Sequence, residues 1–242
     1  MKKILKEVLN CDAGLAERNA WLKKTIGGLS KGMRILDAGA GELRNKPLCT
    51  HLDYVSQDFC QYDGVGNGVG LQVGSWDTRR IDIVSDIVAI PEPDGSFDAV
   101  LCSEVLEHVP DPLQALAEFS RLLKPGGVLI LTAPFASLVH FAPYHFCSGF
   151  GRYWYEHHLP PQGFAIEELS PNGDWFSFSR QELIRLPQQA FERRDWCWPL
   201  AYLVAGIGLL YYGLRQRTVA AQDVACIGWH CVAIKQHVAE QL

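Results

Sequence analysis

The chain has 242 residues, 48% hydrophobic, 20% charged and 11% aromatic, a composition that excludes a disordered or fibrous protein. Its formal net charge of −5 supplies no basic field for a phosphate backbone, so no nucleic-acid partner is expected. Eight cysteines make no CxxC pair and no Cys/His cluster with zinc spacing, so reduced thiols, no metal centre and a cytoplasmic location are expected.

The N-terminal stretch MKKILKEVLNCD is broken by Glu7 and reads as an amphipathic helix, not a signal peptide. Apolar positions at Ile4, Val8 and Leu9, then Leu15, Leu22 and Ile26, extend helix to Gly27–Gly28. An alternation of short β-like runs and helical stretches follows. Strands are expected at Met33–Ala38, Leu52–Asp58, Ile81–Ser85 and Phe97–Ser103. Asp111–Pro112 opens a helix as N-cap and first-turn proline, and Lys124-Pro125-Gly126-Gly127 closes it. Val128–Ala133 is a fifth strand, apolar throughout as a parallel strand covered on both faces would be. This order predicts an α/β fold with a doubly wound, Rossmann-like sheet. Further on, Phe164–Leu169 reads as a half-exposed strand, Arg180–Arg185 as helix and Val224–Ile234 as a closing strand.

Asp37-Ala38-Gly39-Ala40-Gly41 directly follows the first strand. Glycines there let the backbone pass close beneath a ligand, and a helix N-terminus with free amides is expected next. A bare tight turn is the structural alternative. The pattern starts like a dinucleotide fingerprint, but Arg44 occupies the third glycine position. Asp58 ends the second strand, where a ribose-binding carboxylate belongs. Asp86-Ile87 follows the third, with a helix-capping role for Asp86 as the alternative. Ser103, Glu104, Glu107 and His108 cluster at the tip of the fourth, where His108 could equally be a satisfied polar group in a helical turn. So acidic an edge repels phosphates and suits a cationic ligand bearing ribose hydroxyls, an adenine amine and an ammonium, such as S-adenosyl-L-methionine (SAM).

Four ordered stretches, ILDAGAGE (35–42), YVSQDF (54–59), VSDIVAIPEPDGSFDAVLCSEVLEHVPDP (84–112) and LLKPGGVLILTAP (122–134), resemble those of class I SAM-dependent methyltransferases of the methyltransferase type 11 kind. The resemblance implies a mostly parallel seven-stranded sheet with an antiparallel terminal strand. It implies one domain: a helical cap over 1–30, a SAM-binding core over 31–135, and a lid, apolar helix and last strands over 136–242. It places Asp37, Gly39 and Gly41 around the methionine and ribose of SAM and Asp58 on the ribose hydroxyls. Asp86 and Ile87 would meet the adenine, and Ser103 and Glu104 would line the methionine side.

Methyl transfer from a sulfonium needs alignment first, and a base only where the acceptor must lose a proton. Base candidates are His140 and His145, in the aromatic-rich stretch after the fifth strand; His157 and His158, adjacent on an expected helix, are read as facing water. That stretch resembles, more loosely, the same region of methyltransferases of glycan pathways. The acceptor is therefore expected to be an oxygen of a small molecule or glycan. The alternatives are C-methylation of a lipophilic quinone-like ring and a non-catalytic SAM-binding protein. Trp196–Leu214 runs without a charge but is interrupted by Pro199, Gly206, Gly208 and Gly213. It is read as a buried helix first, a homodimer surface second and a helix lying on a membrane third, and not as a span.

Overall fold

The computed structural model describes residues 13–215 and 224–237; the expected helical positions Ile4, Val8 and Leu9 lie outside them. The chain forms two compact units. One is built on residues 21–170 together with 228–237, the other on 13–20 with the described parts of 171–227.

The first unit holds the sheet. Its strands are β1 (Arg34–Ala38), β2 (Asp53–Asp58), β3 (Ile83–Val84), β4 (Phe97–Ser103), β5 (Leu123–Pro134), β6 (Phe164–Asn172) and β7 (Gly228–Lys235). They lie in the order β3-β2-β1-β4-β5-β7-β6. The first five are parallel: Leu36 sits opposite Val55 of β2 on one side and Val100 of β4 on the other. β7 runs antiparallel to β5, with Leu131 opposite Cys231. The mixed seven-stranded sheet is the one the sequence implies. Sharing one direction, β1, β2, β4 and β5 put their carboxyl ends on a single edge, where ligands bind in such sheets.

Burial explains the central strands. Ile35, Leu36, Val100, Leu101, Leu129 and Ile130 are fully buried, so neither sheet face carries a polar stripe. Helix α1 (Ala13–Gly27) lays Leu22 and Ile26 against Ile35, Ala99, Leu101 and Ile130. Helix α2 (Pro112–Leu122) starts as expected: the Asp111 carboxylate accepts the amides of Leu113 and Gln114 at 3.0 and 3.1 Å, and Pro112 occupies the first turn. Leu116, Phe119 and Leu122 bury its apolar face. The Lys124–Gly127 segment lies within β5, where the register against β4 slips between Phe97 and Ala99. Cys102 is a buried free thiol, as its apolar surroundings suggest.

Three connections depart from strand–helix alternation, those from β1 to β2, from β2 to β3 and from β3 to β4. Only a three-residue 3₁₀ helix, Lys46–Leu48, with Pro47 near its start, separates β1 from β2. Between β2 and β3 the chain has no helix at all. It runs instead through a glycine-rich loop in which Gly64, Gly66, Gly68, Gly70 and Gly74 all have positive φ.

Helix α3 (Arg152–His158) follows the loop after β5. In the second unit, α4 (Trp175–Glu192) extends well beyond the expected Arg180–Arg185 and is capped by Asp174, whose carboxylate accepts the Ser177 amide at 2.8 Å. Helix α5 (Trp198–Arg215) is the apolar stretch. It corrects the buried-helix reading: Ala205 and Leu209 are buried, but Leu200, Leu203, Ile207, Leu210 and Leu214 are each more than half exposed along one face. Among the described residues no helix is long and apolar enough to cross a membrane.

Candidate active site

The turn after β1 is held by the strand beside it. Gly39 and Ala40 donate their amides to the Gln57 carbonyl at 2.9 and 2.8 Å, and Gly41 donates to the Asp58 carboxylate at 2.9 Å. These amides are therefore committed within the protein, which corrects the expectation of a helix N-terminus offering free N–H groups. The glycines are required on two counts. Both have positive φ (+75° and +51°), and a Cβ would come within 2.5 Å of the Val105 side chain at Gly39 and of the Trp76 ring at Gly41. The backbone at this turn must stay bare.

Asp58 is buried at the end of β2, its second oxygen accepting the Cys60 amide at 2.8 Å. Burial pushes its carboxyl pKa up, against the pull of these amides. Two carboxylate oxygens offer about four lone-pair sites, so acceptor capacity remains for a diol. Asp37 is wholly buried, and its carboxylate turns to the Tyr54 hydroxyl (2.7 Å) and the Asn45 amide (3.4 Å). Desolvation raises its pKa to about 6. It braces the β1–β2 tips rather than presenting an open charge. Asp86 is exposed and accepts the Val88 amide at 3.2 Å, closing a turn where the weighed alternative is a helix cap, while the adjoining Ile87 is buried. At the tip of β4 the Ser103 hydroxyl lies 2.8 Å from that of Thr132, which donates to Glu104 at 3.0 Å. Glu104 has a φ of +57°, a costly backbone conformation for a non-glycine residue, held by the hydrogen bond its N–H donates to the Thr132 carbonyl.

The loop after β5 folds back over these tips. The Glu107 carbonyl accepts the amides of Phe146 and Cys147, and the Tyr144 carbonyl pairs with His108 Nδ1. That brings together His108, His140 and His145, one ring nitrogen of each within 4.8 Å of the others. Burial and the neighbouring imidazoles hold the His108 pKa down to about 4, and that of His145 is lowered by the same causes. The neutral imidazole is favoured at both. His157 and His158 stand apart from this cluster, on α3.

The glycine-rich loop completes the surroundings, and nothing in the sequence reading singles it out. Leu71 bridges to His140, and the Ala142 carbonyl accepts the Asn67 amide at 3.1 Å. Tyr62 stacks on Phe141 at 4.5 Å, Trp76 meets Phe141 edge-on, and Phe141 stacks on His108. An aromatic wall thus runs from Gly41 to the histidines. Its only forward signal is the aromatic content of a segment otherwise rich in glycine.

Residues 36–131, which run from within β1 through β2, β3 and β4 to most of β5, match the family model described as a methyltransferase domain. The chain carries a class I methyltransferase domain. Its cofactor class is SAM. The domain is 55% identical over 53 residues to a ubiquinone biosynthesis O-methyltransferase of Xanthomonas campestris pv. campestris, covering 22% of this chain and 21% of that enzyme. It is 35% identical over 130 residues to a demethylmenaquinone methyltransferase of Renibacterium salmoninarum, covering 52% of each. The chain thus spans about a fifth of the first relative's length and about half of the second's. A solved geranyl diphosphate methyltransferase in complex with SAM superposes with a TM-score of 0.54 at 16% identity, over 90% of this chain and 84% of that one, a likeness of fold. The bare glycine turn and the remaining acceptor capacity of the Asp58 carboxylate fit a SAM nucleoside.

Proposed function

We infer that this domain binds SAM at the carboxyl edge of β1, β2 and β4 and methylates an oxygen of a small hydroxylated ring. SAM supplies an electrophilic methyl on a sulfonium. In this reading Asp58 accepts the ribose hydroxyls, Ile87 packs on the adenine with Asp86 beside it, and Ser103 and Glu104 face the methionine portion. Asp37 acts through Tyr54 and Asn45 by fixing the strand tips, and Gly39 and Gly41 keep the floor low enough for the nucleoside.

The observation that carries the choice of acceptor is the cluster of His108, His140 and His145 beside an aromatic wall. Tyr62, Trp76 and Phe141 pack into an apolar wall for a ring to lie against, and an imidazole nitrogen with a lone pair can take the proton of a ring hydroxyl. His145 leads because neither of its ring nitrogens has a hydrogen-bond partner. The names of the two relatives support a quinone-type ring over a glycan. One names O-methylation; the other is a quinone methyltransferase, which keeps transfer to a ring carbon as the second reading.

The test is incubation with SAM and a panel of catechols, hydroxyquinones and glycosides, followed by mass spectrometry. The reading expects S-adenosylhomocysteine together with a methoxy-ring product. A ring-carbon product would favour the second reading, and tight SAM binding with no turnover on any acceptor would make the chain a SAM-binding protein.

A further inference from the structure

We propose that His108, His140 and His145 form a binding site for a borderline divalent metal ion such as Zn²⁺. One nitrogen of each imidazole already lies within 4.8 Å of the other two. Two of the tautomers are set by the backbone. His108 Nδ1 faces the Tyr144 carbonyl and His140 Nδ1 faces the Leu138 carbonyl at 2.9 Å. A carbonyl oxygen only accepts, so both Nδ1 atoms carry hydrogen and both Nε2 atoms keep a lone pair. A backbone carbonyl on the far nitrogen is the outer support that orients histidine ligands in metal sites.

His145 supplies the third donor. Both its nitrogens are buried and without a hydrogen-bond partner, a costly state for a polar ring that an ion would relieve. The buried Glu107 carboxylate, 3.8 Å from His108 Nε2, adds negative potential beside the cluster. A tetrahedral Zn²⁺ with bonds of about 2.0–2.1 Å needs nitrogens about 3.3 Å apart, so the rings must close by about 1.5 Å at most. His145, untethered by hydrogen bonds, is the ring free to turn. Three imidazoles favour Zn²⁺, Co²⁺ or Ni²⁺ over Mg²⁺ or Ca²⁺, and leave one coordination position for water or an acceptor oxygen.

With an ion held, His145 is a ligand and not a base, and the ion becomes the group that acidifies an acceptor hydroxyl. Binding itself is independent of the proposed methyl transfer and is measured without SAM or acceptor. The full chain, stripped with chelator, is titrated with Co²⁺ and followed by its visible absorption, then displaced with Zn²⁺. The expected result is one ion per chain with a nitrogen-ligated tetrahedral spectrum lacking thiolate charge-transfer bands. His140→Gln and His145→Gln, made separately, are each expected to weaken binding about tenfold or more. SAM affinity, measured in parallel, reports that each variant is folded. Binding unchanged in folded variants, a thiolate spectrum or no tight binding at all would overturn the site. Tight binding without methyl transfer would leave the site standing and count only against the proposed reaction.

Discussion

The Asp58 carboxylate accepts the Gly41 amide at 2.9 Å, tying the end of β2 to the turn that follows β1. The two parts of the proposed SAM site are thus one hydrogen-bonded unit, and a change at either is felt by both. Asp58→Ala removes this acceptor and the one offered to ribose. SAM affinity should fall by about 1.5–3 kcal/mol, read by equilibrium dialysis with labelled SAM. Unchanged affinity would place the ribose elsewhere.

Asp37 predicts a pH effect. Its folded pKa of about 6 lies above the unfolded value of 3.8, so the native state holds the proton more tightly. Stability from this group is therefore present below pH 4 and lost as the pH rises through 6. Asp37→Asn removes the charge but keeps the shape. It should raise unfolding free energy at pH 8 by an amount on the order of 3 kcal/mol, with the difference vanishing near pH 3. Denaturant titrations at the two pH values check the sign; a variant destabilised at pH 8 would mean the charge is compensated in the fold.

His145→Ala should leave SAM binding intact and lower turnover by about 100-fold or more on an acceptor that must lose a proton. The comparison is of steady-state kcat against the dissociation constant for SAM. A fully active variant would remove His145 from the chemistry.

Tyr155 is fully buried on α3, and its hydroxyl has no hydrogen-bond partner. Tyr155→Phe should raise the unfolding free energy by about 1 kcal/mol, because it deletes an unsatisfied polar group at nearly constant shape. A drop in melting temperature would show that the hydroxyl is satisfied in solution.

The sheet was legible in the sequence because its parallel strands are continuous apolar runs set off by turn residues. Asp111–Pro112 marked α2 just as plainly. The turn after β1 was legible as glycine, but not in its bonding: whether an amide faces a ligand or Gln57 depends on register with a strand met later in the chain. The β2–β3 loop was missed because glycine and scattered aromatics carry no period. The three histidines were missed as a group because they come from two loops far apart in sequence, brought together only when the segment after β5 folds over the tip of β4. The exposed face of α5 was missed because a fully apolar run does not say which side is covered.

Calorimetric titration of the purified chain with SAM, S-adenosylhomocysteine and NADH tests the central assignment most directly. The account predicts micromolar binding of the first two, at one site, and none of the third. A folded chain that binds NADH, or neither sulfur compound, would contradict it.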